Sequence, residues 1–292
     1  MMINDTFDPM ANKQITSVGI VVKPGHAKAL KTAVELTAWL AERNIAVLGE
    51  PVSAGNTREG VGQFRKADLI VVLGGDGTMI SAARMVADAD VLVLGINYGS
   101  LGYLTEFRIE EMIPALEAII RGECVADRRV MLDVKHIRED QTLATGRILN
   151  DVVINKAAIA RIIEINVELN GLFVNSFRAD GLIVSTPTGS TAYNLSAGGP
   201  IVFPSMNAVL LTPICPFTLT NRPIVVPDTA VIELRLENEN EGVVLSLDGQ
   251  TGYPMRAGDL VRIRKSKTAL NLLRPANRNY FDVLRDKLKW GR

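Results

Sequence analysis

The sequence predicts an α/β domain with a parallel sheet, followed by a mostly β domain, with a C-terminal segment that returns to the first domain. Three observations support this. The first third of the 292-residue chain alternates short apolar runs with amphipathic segments, a long middle stretch alternates apolar and polar residues, and the last residues become amphipathic again. The length also favours two domains over one compact core.

The N-terminal part alternates strands with helices. Its predicted strands are short apolar runs of the kind found in buried parallel sheets: "ITSVGIVV", "IAVLGE", "DLIVVLGG" and "VLVLGIN". Its predicted helices are "HAKALKTAVELTAWLAERN", "TMISAARMVADA" and "IEEMIPALEAIIRG". In the first helix, helical spacing predicts an apolar face of Leu30, Ala33, Val34, Thr37 and Leu40. This alternation predicts a parallel sheet with helices on both faces.

The pattern changes near Arg128. "RRVMLDVKHIRED", "GRILNDVVINKA" and "RIIEINVELNGLFVNSF" are predicted strands, and the last contains Asn170-Gly171, a type I′ hairpin signal. We therefore expect an α/β domain over residues 1–127 with 266–292, and a β-rich domain over 128–265. A short helix after Thr191 and a final helix in "RNYFDVLRDKLKWGR" are the other predicted elements.

Composition excludes several classes of protein. Lys+Arg and Asp+Glu both number 32, so the chain has no general electrostatic attraction to nucleic acid or to an anionic membrane. No apolar run approaches the ~20 residues of a membrane span, and the polar start is unlike a signal peptide. Cys124 and Cys215 are too far apart in sequence to suggest a disulfide framework, which fits a reducing, cytoplasmic setting.

Two common nucleotide-binding motifs are missing. The chain contains neither the P-loop pattern G-x-x-x-x-G-K-[ST] nor the dinucleotide fingerprint G-x-G-x-x-G. Its two histidines, His26 and His136, lack metal-ligand spacing, and we expect surface or packed roles for them.

One acid stands among three glycines in Gly74-Gly75-Asp76-Gly77, directly after an apolar strand. Ligands bind beyond the carboxyl ends of strands in open α/β sheets. Glycines allow positive φ and let a phosphate approach backbone N–H groups, and Thr78 is placed to cap the following helix. Asp76 then suits contact with a hydroxyl or a metal beside phosphates. The alternative is a tight turn in which Asp76 only begins a helix.

A second candidate loop is "RADGLIVSTPTGSTAYNLSAGGP", from Arg178 to Pro200. Its small hydroxylated residues suit hydrogen bonding to a polar ligand, and Tyr193 suits stacking on a base. The alternative is a Ser/Thr-rich surface loop. Asn150-Asp151 adds an amide beside a carboxylate within a strand pattern. Adjacent side chains of a strand point to opposite faces, so both reach one ligand only where the strand ends or bulges.

Together these stretches resemble the NAD kinase family. The resemblance rests on "GGDGT" at Gly74–Thr78, "GINYGSLGYLTE" at Gly95–Glu106, Asn150-Asp151, and the specific stretch Asp180–Pro200. It implies a Rossmann-like first domain, phosphoryl transfer from ATP to the 2′-hydroxyl of the adenosine ribose of NAD⁺, and a divalent metal such as Mg²⁺. It also implies a homodimer or homotetramer.

The resemblance assigns roles to individual residues. Asp76 matches the catalytic acid and acts as general base, with Gly75 and Gly77 beside it. Arg178 goes with preference for NAD⁺ over NADH. The remaining positions that match dinucleotide-binding residues are Asn150, Asp151, Asp180, Thr188, Thr191, Ala192, Tyr193 and Ser196. The family more often has Glu at position 151 and Phe at position 103. No residue is assigned to the metal.

Two other functions compete with this reading. A diacylglycerol-type lipid kinase shares the Gly-Gly-Asp-Gly loop but needs an apolar or basic membrane-facing surface. A dinucleotide sensor keeps the fold without turnover but has no need for Asp76. The sequence also leaves open inorganic polyphosphate as the donor.

Overall fold

The computed structural model describes residues 14–54, 61–86, 89–157, 161–218, 220–238 and 242–291. The chain forms two compact units. The first contains the residues up to Arg128 together with those from Thr268 onward, and the second spans Arg129–Lys267. Each unit is described by itself below.

Elements are numbered in chain order along the described residues. The helices are α1 Ala27–Ala41, α2 Val61–Phe64, α3 Asp76–Met85, α4 Met112–Ile120, α5 Tyr193–Ser196 and α6 Tyr280–Leu288. The strands are β1 Ser17–Val22, β2 Ala46–Val47, β3 Val52–Ser53, β4 Leu69–Leu73, β5 Leu92–Asn97, β6 Phe107–Arg108, β7 Val125–Arg129, β8 Leu132–Arg138, β9 Gln141–Ile148, β10 Asp151–Asn155, β11 Ile163–Leu169, β12 Leu172–Ala179, β13 Gly181–Ser185, β14 Ala208–Ile214, β15 Ile224–Pro227, β16 Ile232–Leu236, β17 Val244–Leu247, β18 Thr251–Pro254, β19 Leu260–Lys265 and β20 Leu270–Arg274.

The first unit is built on one sheet with the order β2-β1-β4-β5-β20-β7, to which β3 and β6 are added. The pairs β1·β4, β4·β5 and β5·β20 are parallel. β4 is buried at all five positions, as its continuous apolar run predicts. The predicted α/β domain with a parallel sheet is confirmed, and so is the return of the C-terminal segment, which supplies β20.

Buried charges tie this returning segment to the rest of the unit. Arg274, at the end of β20, donates from Nε to Glu106 Oε1 at 2.7 Å, and its Nη1 lies 3.6 Å from Asp127. Arg274 and Glu106 are almost fully buried. Arg278 donates to Glu111 at 2.6 Å. A buried ion pair is costly to break from one side, because it leaves the other charge unpaired.

The first helix is confirmed, but its predicted apolar face is wrong in part. Leu30 and Val34 are 49% and 69% exposed, whereas the buried positions are Ala29, Thr32, Ala33, Leu36 and Leu40. Both sets follow helical spacing, so periodicity alone did not separate them. The small side chains of the buried set allow close packing on the sheet. None of the helices in the described ranges combines the length and apolar character that crossing a membrane requires.

The second unit consists of two antiparallel six-stranded sheets that share one core. Their orders are β15-β14-β13-β10-β17-β18 and β12-β11-β16-β19-β8-β9. Ile163, Ile165 and Val167 of β11 are buried in this core, as the alternating pattern predicts. Asn170 and Gly171 have φ of 53° and 77°, which agrees with the predicted type I′ turn.

Both histidines make contacts inside the protein. His136 is 2% exposed, and its Nε2 lies 2.8 Å from Asp259 Oδ2. Burial alone would raise the pKa of Asp259, but hydrogen bonds from Arg138, from the Arg256 N–H and from His136 lower it below its ordinary value. His26 caps α1, and its Nδ1 accepts from the N–H of Ala29 at 3.1 Å.

Candidate functional site

A polar pocket of about 440 Å³ lies in the first unit and contains Asp76; we call it the Asp76 pocket. It is built from the segments that follow three neighbouring parallel strands, β1, β4 and β5, whose carboxyl ends meet at one edge of the sheet. Helix α6 adds one residue. The lining residues are Lys23, His26, Gly74, Gly75, Asp76, Asn97, Tyr98, Gly99, Ser100, Gly102 and Lys287.

The carboxylate of Asp76, the first residue of α3, is held by the segment 103–105. Its Oδ1 accepts from the N–H groups of Leu104 and Thr105 at 3.1 Å each, and from Thr105 Oγ1 at 3.0 Å. Among the described residues, its Oδ2 accepts only from the Tyr103 N–H, at 2.8 Å. A carboxylate oxygen has about two lone-pair sites, so Oδ2 keeps one for a further donor, such as a substrate hydroxyl.

One of the two reasons predicted for the glycines around Asp76, positive φ, is wrong for Gly75. Gly75 is the N-cap of α3 with φ of −91°, so positive φ is not the reason for glycine there. The prediction that Thr78 caps the helix is also wrong, because Thr78 lies inside α3. Its side chain instead occupies the space beside Gly74, where a Cβ would lie 2.4 Å from Thr78 Oγ1.

Gly75 and Gly77 leave the backbone accessible. Apart from the adjoining backbone, no described atom lies within 4 Å of the position that a Cβ would take at either residue. A ligand can therefore approach the N–H groups of the first turn of α3, which carry the positive end of the helix dipole. This agrees with the predicted approach of a phosphate.

We expect Gly102→Ala to displace Asp76 and to inactivate the protein. A Cβ at this position would lie 1.9 Å from Asp76 Oδ1 and 2.5 Å from Thr105 Oγ1. A displacement of ~1 Å at a reacting group can cost about a hundredfold in rate, so kcat should fall by roughly that factor. Gly62→Ala, where a Cβ meets nothing within 4 Å, is the control. Wild-type turnover by Gly102→Ala would show that this contact does not position Asp76.

A second cavity, of about 540 Å³, lies in the second unit and contains Asp151; we call it the Asp151 pocket. It brings together four of the predicted site residues. Its lining residues are Asn150, Asp151, Val153, Asn155, Lys156, Ala157, Ala192, Tyr193, Gly242, Val244, Ser246, Asp248 and Gly249.

Asp248 creates the strand irregularity that Asn150 and Asp151 need to reach one pocket. It lies in the turn after β17, and its carboxylate accepts from three consecutive N–H groups, those of Leu149 at 3.1 Å, Asn150 at 2.8 Å and Asp151 at 3.1 Å. Strand β10 begins only at Asp151, so Asn150 lies in a bend. Both side chains therefore line the same pocket.

The two predicted polar groups in this pocket, Asn150 and Asp151, lie in unfavourable surroundings. Burial, and then the nearby charge of Asp248, raise the pKa of Asp151 to about 7. Asn150 Oδ1 is buried and accepts no hydrogen bond from the described residues. An acceptor without a donor costs free energy, and such groups concentrate at functional sites.

The hydroxyl groups of the loop 186–191 are mostly used inside the protein. Thr186 Oγ1 donates to the carbonyl of Leu149 at 2.6 Å, and Ser190 Oγ donates to that of Pro187 at 2.6 Å. The protons of these two hydroxyls are used inside the protein, and their contact with a ligand stays a prediction. Thr186 holds the loop against residue 149, and Ser190 ties it to Pro187 and Val202. Gly189 permits the close approach to Asn150, because a Cβ there would lie 2.1 Å from the Asn150 carbonyl oxygen.

Ala192 and Tyr193 are the loop residues that reach the Asp151 pocket, and Tyr193 is 41% exposed. Other predicted residues lie outside its lining. Asp180 pairs with Lys156 at 3.3 Å, and the Arg178 guanidinium carbon lies 5.1 Å from the Phe217 ring centroid. Thr188 is buried, Thr191 is half-buried and Ser196 is exposed. Their contact with a dinucleotide stays a prediction.

Sequence reasoning missed Asp248 and Lys156. The signal for Asp248 was the pair Asp248-Gly249 after an apolar strand, which is a turn signal. Both residues have positive φ, 52° and 62°. For a non-glycine residue this conformation is uncommon and often accompanies function. Lys156 carried no signal in the sequence.

The fold and the two pockets define a two-domain nucleotide-binding protein with a Gly-Gly-Asp-Gly loop. The model of the ATP-NAD kinase N-terminal domain matches residues 18–124, and that of the C-terminal domain matches residues 149–275. Together they cover well over half of the chain. The chain belongs to the NAD kinase family.

Individual relatives agree with this membership. NAD kinase from Geotalea daltonii is 47% identical over 279 residues, which are 94% of this chain and 98% of that protein. NAD kinase from Solibacter usitatus is 46% identical over 284 residues, covering 95% and 98%. Among solved structures, an NAD kinase from Archaeoglobus fulgidus in complex with ATP aligns with a TM-score of 0.72 at 26% identity, covering 94% of this chain and 98% of that one. Yeast NADH kinase complexed with NADH has the same fold, with a TM-score of 0.85 at 24% identity over 96% of this chain and 89% of that one.

Proposed function

We propose that this chain transfers the γ-phosphate of ATP to the 2′-hydroxyl of the adenosine ribose of NAD⁺, producing NADP⁺ and ADP. The observation that carries the proposal is the Asp76 carboxylate, which is held at the start of α3 and whose Oδ2 accepts a single hydrogen bond from the part of the chain that the structure describes. The Asp76 pocket is assigned to phosphoryl transfer, and the Asp151 pocket to recognition of the dinucleotide.

In the proposed reaction, Asp76 orients the ribose hydroxyl and receives its proton. The hydroxyl oxygen forms a bond to the γ-phosphorus while the bond from that phosphorus to the bridging oxygen of ADP breaks. The proton passes to Asp76 Oδ2, and ADP leaves. In a loose phosphoryl-transfer transition state, orientation of the nucleophile and neutralisation of charge contribute most of the catalysis. General-base assistance is worth typically ~10²–10⁴-fold.

The divalent ion, Mg²⁺ by preference, enters as part of the substrate Mg–ATP. No group of three or more His, Cys, Asp or Glu residues in the described ranges could hold a metal by itself. Mg²⁺ commonly binds through substrate phosphates and one or two carboxylates. Asp76 is the carboxylate that lines the pocket, and a bound ion would neutralise phosphate charge there.

Product formation tests the proposal directly. Purified protein is incubated with NAD⁺, Mg²⁺ and either ATP or inorganic polyphosphate, and NADP⁺ is measured by chromatography. We expect NADP⁺ with ATP. Phosphorylation of diacylglycerol without NADP⁺ would indicate a lipid kinase instead, and calorimetric binding of NAD⁺ without any product would indicate a sensor.

Arg178 is the residue that we assign to preference for NAD⁺ over NADH. Its guanidinium carbon lies 5.1 Å from the ring centroid of Phe217. Arg178 has two possible roles: it orders the segment around Phe217 by stacking, or it contacts a phosphate of the dinucleotide. We expect Arg178→Gly to lower the ratio of kcat/KM for NAD⁺ to that for NADH by about threefold or more, the scale of an exposed cation–π contact. Phe217→Leu separates the two roles, because only ordering by stacking requires the ring. An unchanged ratio in Arg178→Gly would remove this residue from selectivity.

A homodimer or homotetramer and a cytoplasmic location complete the proposal. Leu172 and Phe173, in the hairpin of β11 and β12, are 73% and 65% exposed, and such apolar surface supports self-association. Light scattering on the purified protein measures the oligomeric state.

A further inference from the structure

Two lysines line the Asp76 pocket from opposite ends of the chain. Lys23 directly follows β1, and Lys287 lies near the end of α6. Lys287 is half-buried, and its Nζ lies 5.9 Å from the ring centroid of Tyr103. Tyr103 is the residue whose N–H donates to Asp76 Oδ2. Lys287 therefore lies beside the segment that holds the Asp76 carboxylate.

Neither lysine has a carboxylate partner. No ion pair within 4.0 Å joins Lys23 or Lys287 to any acid in the described ranges, although Asp76 lines the same pocket. Lys287 is half-buried, and a partly desolvated ammonium group without a counter-charge is unfavourable, whereas Lys23 is exposed. Elsewhere in the first unit, half-buried and buried cations are paired, as with Arg274 and Arg278.

The surroundings of the two lysines suit a chain of phosphates. His26 accepts the Ala29 N–H at Nδ1, so in its neutral form the Nε2 of this ring carries the proton and is a donor. Gly75 and Gly77 leave the N–H groups of α3 open to the pocket. The pocket thus offers two ammonium groups, an imidazole N–H and backbone donors around one acid.

We propose that Lys287, together with Lys23, binds the phosphates of the donor and neutralises the charge that develops on them during transfer. This inference rests on the proposed function of the Asp76 pocket, and it adds residues from the two ends of the chain to the group that touches the substrate. A Lys ammonium acts as a point charge on phosphate, as it does in other phosphoryl-transfer enzymes.

Lys287→Met is the decisive variant, because methionine keeps the apolar stem beside Tyr103 and removes the charge. Calorimetry measures the Kd for ATP and for inorganic tripolyphosphate. Steady-state kinetics measure the KM for ATP and the KM for NAD⁺. We expect both Kd values and the KM for ATP to rise about tenfold to a hundredfold, as for a hydrogen bond to a charged group. The KM for NAD⁺ should change less than about twofold, because Lys287 is not expected to contact the dinucleotide.

Control variants test folding and charge. Lys289→Met, two residues further along at an exposed position, should behave as wild type, and Lys287→Arg should recover part of the affinity. If Lys287→Met does not fold by circular dichroism, Lys23→Met is measured in the same way. If the folded variant binds ATP and tripolyphosphate within twofold of wild type, the inference is wrong. This holds even if the protein forms NADP⁺, in which case the proposed function stands. If Lys287 controls tripolyphosphate binding but wild type forms no NADP⁺, the inference stands and the proposed function fails.

Discussion

Asp76→Ala is expected to lower kcat by at least about a hundredfold, the lower end of what general-base assistance contributes. The affinity for NAD⁺ should change far less, because the dinucleotide is assigned to the Asp151 pocket. The variant removes the acceptor of four hydrogen bonds from residues 103–105, so it perturbs this segment as well as the chemistry. A lower kcat alone would therefore not distinguish Asp76 as a general base from Asp76 as a structural anchor.

Chemical rescue separates these two roles. Formate added to Asp76→Ala supplies a carboxylate without restoring the covalent anchor, and we expect it to recover part of kcat. Asp76→Asn is less informative, since either orientation of its amide turns an N–H₂ group towards backbone N–H donors. Thr105→Ala removes one donor to Oδ1 and is the control for the anchoring role. If formate gives no recovery and Thr105→Ala is as inactive as Asp76→Ala, Asp76 is an anchor rather than a base.

Asp151→Ala is expected to raise the KM for NAD⁺ about tenfold to a hundredfold, the cost of losing a hydrogen bond to a charged group. The KM for ATP should change much less. Because burial and Asp248 raise the pKa of Asp151 to about 7, its carboxylate becomes ionised as the pH rises through neutrality. An ionised carboxylate is the better acceptor for ribose hydroxyls and suits a cationic ligand. NAD⁺ affinity should therefore increase between about pH 6 and pH 8.

The same shift predicts the opposite effect on stability. Between the unfolded pKa of about 3.9 and the folded value, the folded state binds more protons than the unfolded chain. The free energy of unfolding of the wild type should therefore fall as the pH rises over this range. Asp151→Asn cannot ionise and therefore avoids this loss of stability. At pH 7 it should be more stable than wild type by at most about 4 kcal/mol, since each pKa unit corresponds to about 1.36 kcal/mol. Urea unfolding at pH 5 and pH 8 measures the difference.

A variant that is more stable at pH 8 but binds NAD⁺ more weakly would identify Asp151 as a binding residue held at a cost in stability. If Asp151→Asn keeps wild-type NAD⁺ affinity from pH 6 to pH 8, Asp151 is not part of the dinucleotide site.

Much of the fold could be predicted because local patterns agree with it. Continuous apolar runs predicted β4 and β5, and strict alternation predicted β11 with its Asn170-Gly171 turn. The face of α1 could not be derived, because two sets of apolar positions share helical spacing and only the packing on the sheet selects Ala29 over Leu30. Short edge strands such as β3 carry too few residues for a pattern.

The candidate site was predictable where the motif residues themselves line a pocket. Asp76, Asn150 and Asp151 line pockets as expected from their motifs. Contacts between residues far apart in sequence could not be derived. The Asp248 carboxylate, for example, accepts hydrogen bonds from N–H groups that lie nearly a hundred positions earlier in the chain. The reason for glycine at position 102 likewise appears only once the Asp76 carboxylate is in place.

The position of β20 between β5 and β7 has a consequence for synthesis of the protein on the ribosome. Strand β5 ends at Asn97, but its neighbour β20 begins only at Leu270, after the whole second unit has been translated. At ~5–20 residues per second, the nascent N-terminal segment waits roughly 10–35 s with Leu92 and Val93 of β5 unpaired on this flank, since β6 pairs only with Ile96 and Asn97. An unpaired strand edge invites aggregation, so this interval is when the chain most needs a chaperone. Chains that terminate early lack both β20 and α6, and they leave the ribosome without a completed first unit.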